Sequence, residues 1–315
     1  MTKQSRQNKV IIILGPTGVG KTGLSILLAK KLKTEIISAD SMLVYRHMDI
    51  GTAKPSDEEL RAVPHHLINL LEPSESFSAG LFKEQAVGII DGLHARNRIP
   101  IIAGGTGLYI RTLTGGLFNG PSADLSFRKR LKEEEARYGK GYLHEKLIRV
   151  DPEAAKKIEA NDTRRVIRAL EVSMEAGLKI SDIQKMSTLP CHYDFIKIGL
   201  RRDRKELYRI IEERVDSMIE HGLLQETQKL YSLNPAKTAL QAIGYKELGL
   251  YLNGEADRDE AVRLIKKRTK MYAKRQFTWF NKEPNIQWVD ITGIMKAQDI
   301  AAQVLNNVAI LKELI

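Results

Sequence analysis

The sequence has a single cysteine, no long apolar run and fewer acidic than basic residues. The one cysteine, Cys191, excludes an internal disulfide bond and any zinc site built from cysteines. No apolar stretch approaches the roughly 18 residues that a membrane span needs. The polar start MTKQSRQNK leads directly into an apolar segment, which predicts that no signal peptide precedes the fold. Together these absences predict a protein of the reducing cytoplasm with no membrane partner.

Basic residues outnumber acidic ones along the 315-residue chain. Lysine and arginine together number 50, against 39 aspartates and glutamates, which gives a formal net charge of +11. Such an excess is large for an enzyme with small substrates, and it indicates a polyanionic partner, of which nucleic acid is the commonest. A basic protein with solvated lysines is the alternative that charge alone leaves open.

A strand, a glycine-rich loop and a helix follow one another near the start of the chain. Val10–Leu14 is an uninterrupted apolar run, typical of a strand buried on both faces. The next eight residues, GPTGVGKT, match the phosphate-binding pattern G-x-x-x-x-G-K-[ST]. Backbone amides, the Lys21 charge and the Thr22 hydroxyl suit a diphosphate or triphosphate with a magnesium ion, so Thr22 is the predicted metal ligand. The predicted diphosphate- or nucleotide-binding residues are Gly15, Pro16, Thr17, Gly18, Val19, Gly20, Lys21 and Thr22.

Two later strands are predicted to end at the same edge of a sheet as this loop. Glu35–Asp40 is a short apolar segment that ends in an acidic residue, and Ile99–Ala103 runs into the turn GGTG, where Thr106 could bond a phosphate. In open parallel sheets ligands bind at the carboxyl ends of the strands. Asp40 and Thr106 are therefore predicted to face the phosphate loop.

The pattern of elements changes in the middle of the chain. Strands and helices alternate up to about Phe118, only short helices are predicted between Gly120 and Pro190, and Phe195–Leu200 is predicted to return to the sheet. We predict an α/β fold, with a P-loop doubly wound parallel sheet as the core and an all-helical insertion domain. The predicted boundaries are 1–119 for the first part of the core, 120–194 for the insertion and 195–315 for the second, mainly helical part.

One helix of this insertion is predicted to begin after Asn161 or Asp162 and to end at Gly177. Arg164 and Arg168 are predicted on its outer face, and a basic outer patch suits a lid or a nucleic-acid clamp. A solvated, salt-bridged face is the alternative. The inner face is predicted to hold Val166, Leu170 and Met174, and the outer face also Glu171 and Glu175.

The helix predicted over Arg258–Asn281 carries a run of cations at three- and four-residue steps. Like charges at these steps repel each other, so the run does not stabilise the helix. The pattern instead favours a role in contact with a phosphate backbone. The predicted stripe consists of Arg263, Lys266, Lys267, Lys270 and Lys274.

Three kinds of function fit a phosphate loop on a basic chain. Read alone, the loop suggests ATP and phosphoryl transfer, as in a nucleoside or small-molecule kinase. A nucleic-acid motor needs an acid at a strand end for magnesium, whereas the strand Ile99–Ala103 ends in glycine. A group transferase would have to hold its diphosphate ester with the phosphate loop, because the chain has no aspartate-rich DDxxD repeat.

A series of motifs resembles the tRNA dimethylallyltransferase family, also called tRNA isopentenyltransferases, of the bacterial type. The resemblance extends from about residue 10 to 280, and MDIGTAKP and GGTGLY are its most specific parts. The motifs are GPTGVGKT (15–22), ISADS (37–41), MDIGTAKP (48–55), PHHL (64–67), AGGTGLY (103–109), PSAD with Arg128 (121–128), NDTRRVIRALE (161–171), AIGYKE (242–247) and AKRQFTWF (273–280).

The resemblance implies transfer of a dimethylallyl group from dimethylallyl diphosphate to N6 of the adenosine 3′ of the tRNA anticodon, with release of diphosphate. It implies Asp40 as the general base, supporting catalytic roles for Thr22, Thr106 and Arg128, and Mg²⁺ as the cofactor. The partners it implies are the tRNA anticodon stem-loop and dimethylallyl diphosphate, and the enzyme is expected to be a monomer.

The same resemblance implies three segments in contact with tRNA. Many family members carry glutamine where this chain has Leu43; glutamine could hydrogen-bond a base edge and leucine cannot. The segments are Asp40, Ser41, Met42 and Leu43; Arg164, Arg165, Val166, Ile167 and Arg168; and Gln241, Ala242, Ile243, Gly244, Tyr245 and Lys246.

Overall fold

The computed structural model of the protein describes residues 8–116, 124–175, 177–186 and 190–315. The predicted boundary at residues 119 and 120, and the start of the PSAD motif at Pro121 and Ser122, lie outside the described residues. The chain divides into two compact units, one formed by Met1–Ile110 with His192–Ile315 and the other by Arg111–Cys191. Among the described residues, no helix has the length and apolar composition to cross a bilayer.

The first unit is built on one parallel sheet, as the alternation of elements predicted. In the described part of the chain the sheet has six strands in the order β3–β2–β4–β1–β5–β6. This confirms the predicted α/β class with a doubly wound parallel sheet. The strands are β1 (Lys9–Leu14), β2 (Ile36–Ser38), β3 (His65–His66), β4 (Ile101–Gly104), β5 (Asp194–Arg201) and β6 (Ile286–Asp290).

Among the helices of the described chain, one lies at each of the two positions predicted from the sequence, near 161–177 and 258–281. The helices are α1 (Lys21–Leu32), α2 (Asp57–Ala62), α3 (Ala79–Ala95), α4 (Gly107–Thr114), α5 (Leu125–Tyr138), α6 (Tyr142–Val150), α7 (Pro152–Lys157), α8 (Thr163–Glu175), α9 (Ile180–Met186), α10 (Arg204–Glu220), α11 (Leu223–Ser232), α12 (Tyr245–Leu252), α13 (Arg258–Phe280), α14 (Ala297–Asn307) and α15 (Ala309–Leu314). A short 3-10 helix covers Ala239–Gln241.

Strand β1 lies at the centre of the sheet because both of its faces are apolar. It pairs with β4 on one side and β5 on the other, and Val10–Leu14 are completely buried. At the opposite, amino end of β2, Glu35 is 5% exposed and receives hydrogen bonds from Arg96 and Arg98. The carboxyl edge, where β1 runs into the phosphate loop, is left for ligand chemistry.

A second apolar core lies among α10, α11, α12 and α13 in the first unit. Its centre is formed by the fully buried ring of Tyr245 together with Tyr45, Leu223 and Ile265. This core fixes the segment that follows β2, because Tyr45 belongs to that segment.

In the second unit the regular elements of the described residues are helices around one apolar core. Val166 and Leu170 of α8 are buried there, as predicted, but Met174 is 55% exposed, so its predicted place on the inner face is wrong. Glu171 is also misplaced by the prediction. It is 0% exposed, because two arginines, Arg128 and Arg168, supply the charge that lets a carboxylate be buried.

Candidate active site

The phosphate loop adopts a conformation that only glycine supports at several points. Gly15, Gly18 and Gly20 have φ angles of 146°, 79° and 106°, and a Cβ on Gly15 would lie 2.7 Å from the Leu200 carbonyl oxygen. The Lys21 ammonium group donates to the carbonyl oxygens of Gly15 and Pro16 at 2.9 and 2.8 Å. The loop thus closes around its own lysine at the start of α1, where the helix dipole favours an anion.

Desolvation sets the charge state of the Lys21 side chain. Burial lowers the pKa of Lys21 from 10.5 to about 8, the Asp40 carboxylate partly offsets this, and the nearby Arg214 guanidinium adds to the lowering. An anion bound in the loop would restore the favourable surroundings for the ammonium form.

A cavity of about 300 Å³, here called the loop cavity, lies at the carboxyl edge of the sheet. The phosphate loop forms one wall and Asp40 lies in another, as the sequence predicted. The side chains of Arg214 and Tyr272 complete the lining on the side of α10 and α13. The loop cavity therefore brings cationic groups and backbone amides together with one carboxylate.

A second cavity, of about 280 Å³, shares residues with the loop cavity. Asp40, Arg214 and Tyr272 line both spaces, whereas Arg275 lines only the second. Ser41, Met42 and Gln241–Gly244 also line the second cavity. Asp40 thus stands at the boundary between a space suited to phosphates and a second space of similar size.

The turn that carries Asp40 is held in place by hydrogen bonds. One Asp40 carboxylate oxygen accepts the backbone N–H of Met42 at 2.9 Å. The Thr106 hydroxyl accepts the backbone N–H of Ser41 at 3.1 Å, and the Thr106 N–H donates to the Ala39 carbonyl oxygen at 3.1 Å. Thr106 therefore fixes the Asp40 turn from the neighbouring strand end.

The segment MDIGTAKP is anchored by a single carboxylate. Glu226 of α11 accepts the backbone N–H groups of Asp49, Ile50 and Gly51 at 2.9–3.0 Å and the Tyr245 hydroxyl at 2.6 Å. Burial, and then the negative charge of Glu226, raise the pKa of Tyr245 far above its usual range. The hydroxyl is therefore neutral and serves as a structural donor.

Some side chains that were predicted to contact tRNA are inside the protein. Val166 and Ile167 are 1% and 3% exposed, and Ala242 and Tyr245 are 6% and 0% exposed. Their apolar surfaces fill the cores, so in this structure these four side chains are not presented to a partner. Of the same segments, the exposed side chains are those of Arg164, Arg165, Gln241 and Lys246.

Arg128, predicted to support catalysis, lies in the second unit on α5. Its guanidinium forms two hydrogen bonds of 2.7 Å to the buried Glu171 carboxylate, which also pairs with Arg168. Burial raises the pKa of Glu171, but the hydrogen bonds from Arg128 and Arg168 outweigh this effect, and the pKa is lowered. Glu171 is therefore ionised and fixes both arginines.

The cations of α13 do not form an unpaired stripe. Lys266 pairs with Asp216 at 2.6 Å and Lys270 with Glu212 at 2.5 Å, both acids being on α10. Arg263 pairs with Glu260, one turn earlier on α13 itself. The expectation that these cations lack balancing acids is wrong for these three residues, because the acids come partly from a helix that packs across α13. Lys267 and Lys274 remain exposed.

Two residues that line the loop cavity were missed in the sequence. Arg214 lies three residues after the buried Ile211 and one before the buried Val215, which places it near the inner face of α10. A cation at such a position in the sequence was the signal that could have revealed it. Gln276 lies within the motif AKRQFTWF, and its amide accepts the Thr17 N–H and donates to the Gly105 carbonyl oxygen.

Comparison with known proteins assigns the family. The family model described as IPP transferase matches residues 43–283 of this chain. A curated tRNA dimethylallyltransferase of Thermodesulfovibrio yellowstonii is 51% identical over 308 residues, which cover 95% of this chain and 97% of the relative. The chain belongs to the tRNA dimethylallyltransferase family.

Solved structures of the tRNA dimethylallyltransferase family share the whole fold. The full-length tRNA isopentenylpyrophosphate transferase of Bacillus halodurans is 42% identical and has a TM-score of 0.70, with 98% of this chain and 99% of that chain covered. A eukaryotic dimethylallyltransferase, captured acting on tRNA, is 32% identical with a TM-score of 0.79, and 96% and 77% of the two chains are covered. The family is one of prenyl-transferring enzymes, which favours the transferase over the kinase.

Enzymes that use prenyl diphosphates generally employ a divalent metal, and the loop cavity fits a hydrated cation. Thr22 and Ser38 both line it, and the Ser38 hydroxyl, on a residue 4% exposed, has no hydrogen-bond partner among the described residues. A buried hydroxyl without a partner is costly, so a ligand or its water would satisfy it. Among the described residues no group of three or more His, Cys, Asp or Glu side chains could hold a metal ion.

Proposed function

We propose that the chain transfers the dimethylallyl group of dimethylallyl diphosphate to N6 of the adenosine 3′ of the anticodon in tRNA and releases diphosphate. The observation that supports this most strongly is the place of Asp40 at the boundary of the two cavities. The loop cavity takes the diphosphate, and the second cavity takes the adenine. The dimethylallyl group lies between them, next to Asp40.

Asp40 is the general base of the proposed reaction. The exocyclic amine of adenine is a weak nucleophile, because its lone pair is delocalised into the ring. A carboxylate that accepts a hydrogen bond from this amine, and then its proton, raises its reactivity. The N6–C1 bond forms, the C1–O bond to the diphosphate breaks, and the proton moves to a carboxylate oxygen of Asp40.

The phosphate loop stabilises the leaving group. As the C1–O bond breaks, negative charge grows on the diphosphate. This charge is stabilised by groups already in place, namely backbone amides, the Lys21 ammonium and the Arg214 guanidinium. Thr22 is the residue that would hold Mg²⁺, and the Ser38 hydroxyl lines the same cavity. When bound, the ion supplies further charge neutralisation of the diphosphate oxygens.

Thr106 and Arg128 have supporting roles in the proposal. Thr106 acts on the base by fixing the turn that carries Asp40. Arg128, held by Glu171, is a fixed cation of the helical unit and acts toward the anionic substrates.

The RNA is the polyanionic partner that the net charge of +11 favours. The target adenine must leave the stack of the anticodon loop to reach Asp40, which costs less from a loop than from a duplex. Ser41, Met42 and Leu43, the exposed residues Gln241 and Lys246, the half-buried Ile243, and the helical unit through Arg164, Arg165 and Arg168 contact the tRNA. The helical unit serves as a clamp, and the enzyme acts as a cytoplasmic monomer.

The proposal is tested by following two labels in parallel. The protein is incubated with Mg²⁺, unmodified tRNA and either radiolabelled dimethylallyl diphosphate or γ-labelled ATP with candidate nucleoside acceptors. Prenyl label in tRNA, located at the adenosine 3′ of the anticodon, is the expected result. Phosphate transfer from ATP without prenylation would support the kinase instead, and a protein that binds tRNA but transfers neither label would be a binding module.

A further inference from the structure

One side chain on α13 joins the two glycine turns of the site. Gln276 is 6% exposed. Its side-chain oxygen accepts the backbone N–H of Thr17 in the phosphate loop at 2.8 Å, and its side-chain nitrogen donates to the backbone carbonyl oxygen of Gly105 at 2.9 Å. These turns follow β1 and β4, which are neighbours in the sheet. A single amide thus bridges the ends of two strands.

The bridge needs both an amide and a glycine. The neutral glutamine side chain offers an acceptor and a donor on one rigid group, whereas an ionised glutamate offers only acceptors and methionine offers no comparable donor. A Cβ on Gly105 would lie 2.2 Å from the Gln276 side-chain nitrogen, so a larger residue there would displace the amide and break the bridge. The contact is therefore specific in chemistry and in shape.

The bond to Thr17 also restricts which backbone N–H groups of the phosphate loop are available to a ligand. The Thr17 N–H is occupied by Gln276, so it cannot turn inward to an anion. The bond therefore fixes the backbone of the loop at Thr17 and limits the conformations that the loop can adopt around a phosphate. Without this bond the backbone of the phosphate loop would no longer be held at Thr17, two residues after Gly15.

The same turn of α13 reaches the Asp40 side of the site. The side chains of Thr106 and Gln276 lie near the Tyr272 hydroxyl, and Thr106 holds the backbone of Ser41. Arg275, next to Gln276, lines the second cavity. One helix therefore contacts the phosphate loop, the second glycine turn and the turn of the general base.

We propose that Gln276 is a positioning residue that fixes the phosphate loop relative to the Gly105 turn and so couples α13 to binding of the diphosphate group. Gln276 does not touch the reacting atoms; it acts through Thr17 and Gly105. The proposal rests on the proposed function for the identity of the ligand, a prenyl diphosphate, but the bridge itself can be tested with inorganic diphosphate.

Two variants of nearly equal volume separate the bridge from simple packing. Q276M removes both hydrogen bonds at every pH. Q276E keeps an acceptor for Thr17, but its carboxylate repels the Gly105 carbonyl oxygen, and protonation restores the donor. Gln287, exposed on β6, provides the matched control Q287M. Binding of inorganic diphosphate with Mg²⁺ is measured by calorimetry, with the wild-type protein as reference at each pH.

We expect Q276M to weaken diphosphate binding about tenfold at every pH, since two hydrogen bonds are lost. Q276E is expected to bind weakly at about pH 8.5 and to approach the wild type at about pH 6, as the buried carboxyl group takes up its proton. Q287M is expected to match the wild type. A purely structural role would lower the melting temperature but would not produce an affinity that recovers with acid.

Two results would overturn the proposal: Q276M binding diphosphate within about twofold of the wild type, or an affinity ratio of Q276E to wild type that is the same at both pH values. If Q276M fails to fold, the pH dependence of Q276E decides alone. Failure of the proposed function is a separate result, since it would appear as wild-type protein that binds diphosphate but does not prenylate tRNA.

Discussion

The hydroxyl of Thr106 accepts the backbone N–H of Ser41 at 3.1 Å and so ties the end of β4 to the turn that carries the general base. We expect Thr106→Val, which keeps the shape but loses the hydroxyl, to lower kcat about tenfold through the loss of one hydrogen bond and of the fixed Asp40 geometry. Thr106→Ser retains the hydroxyl and should stay near the wild-type rate. Steady-state prenylation of tRNA measures both. Equal rates for the valine and serine variants would remove Thr106 from this role.

Asp40→Asn tests the base without disturbing the turn, because an asparagine oxygen can still accept the Met42 N–H. We expect kcat to fall by about 10²- to 10⁴-fold, the usual contribution of a general base. Asp40→Ala should lose as much. Binding of tRNA, measured by filter retention, should change little in either variant. Near-normal turnover of Asp40→Asn would exclude Asp40 as the proton acceptor.

The lowered pKa of Lys21 predicts a pH dependence of ligand binding. Burial brings this pKa to about 8, so the free loop loses its ammonium charge as the pH rises through this value. Affinity for inorganic diphosphate should therefore fall above about pH 8 in the wild type. The Lys21→Arg variant stays charged over the whole pH range and serves as the reference. Ionisation of the diphosphate itself affects both proteins equally, so it cancels in their affinity ratio. The affinity ratio of wild type to variant should decline between about pH 7 and 9.5, and a constant ratio would contradict the assignment.

The same lysine contributes to stability with a defined sign. Its folded-state pKa lies below the unfolded value of 10.5, so the unfolded chain binds more protons between these values. The Lys21 contribution to the free energy of unfolding therefore rises with pH from about 8 to 10.5. Comparison of urea unfolding of wild type and Lys21→Met across this range measures it, and a difference that falls with pH would refute the prediction.

The exposed lysines of α13, rather than its paired ones, should contact tRNA. Lys267→Ala and Lys274→Ala are each expected to weaken tRNA binding and to reduce the slope of log affinity against log salt by about one. Lys266→Ala, which breaks a pair with Asp216, should alter that slope less. Lys312→Ala, which removes an exposed charge from α15, is the matched control. If the salt slopes do not differ between these variants, the exposed lysines of α13 do not contact tRNA.

In the helical unit, Glu171 is expected to control stability in acid. Its pKa is lowered by Arg128 and Arg168 in spite of its burial, so its contribution is present above pH 4.5 and is lost as the pH falls through the folded-state pKa. Glu171→Gln should cost about 2 kcal/mol at neutral pH, as charged hydrogen bonds are lost. Chemical unfolding gives this difference, and it should shrink below about pH 4.5. A difference that does not shrink as the pH falls below 4.5 would show that packing, not charge, causes it.

Local patterns in the sequence determined the parts of this protein that local physics controls. An uninterrupted apolar run that ends in a glycine turn is typical of a doubly buried strand, and the glycine spacing of GPTGVGKT is typical of a phosphate loop, so the phosphate site and the parallel sheet were predictable. The position of Asp40 at the carboxyl edge followed from the same topology. The motifs of the family resemblance then named the chemistry.

Only the tertiary structure decided which side chains meet across elements. Lys266 and Asp216 are 50 residues apart, and Gln276 lies 259 residues from Thr17, so no periodicity within one helix could pair them. The burial of Tyr245 depends likewise on Glu226 and on how α11 and α12 pack. These contacts form where helices cross over the sheet. A local pattern of charge or hydropathy in one helix does not depend on which other helix packs against it, so the pattern cannot reveal the partner.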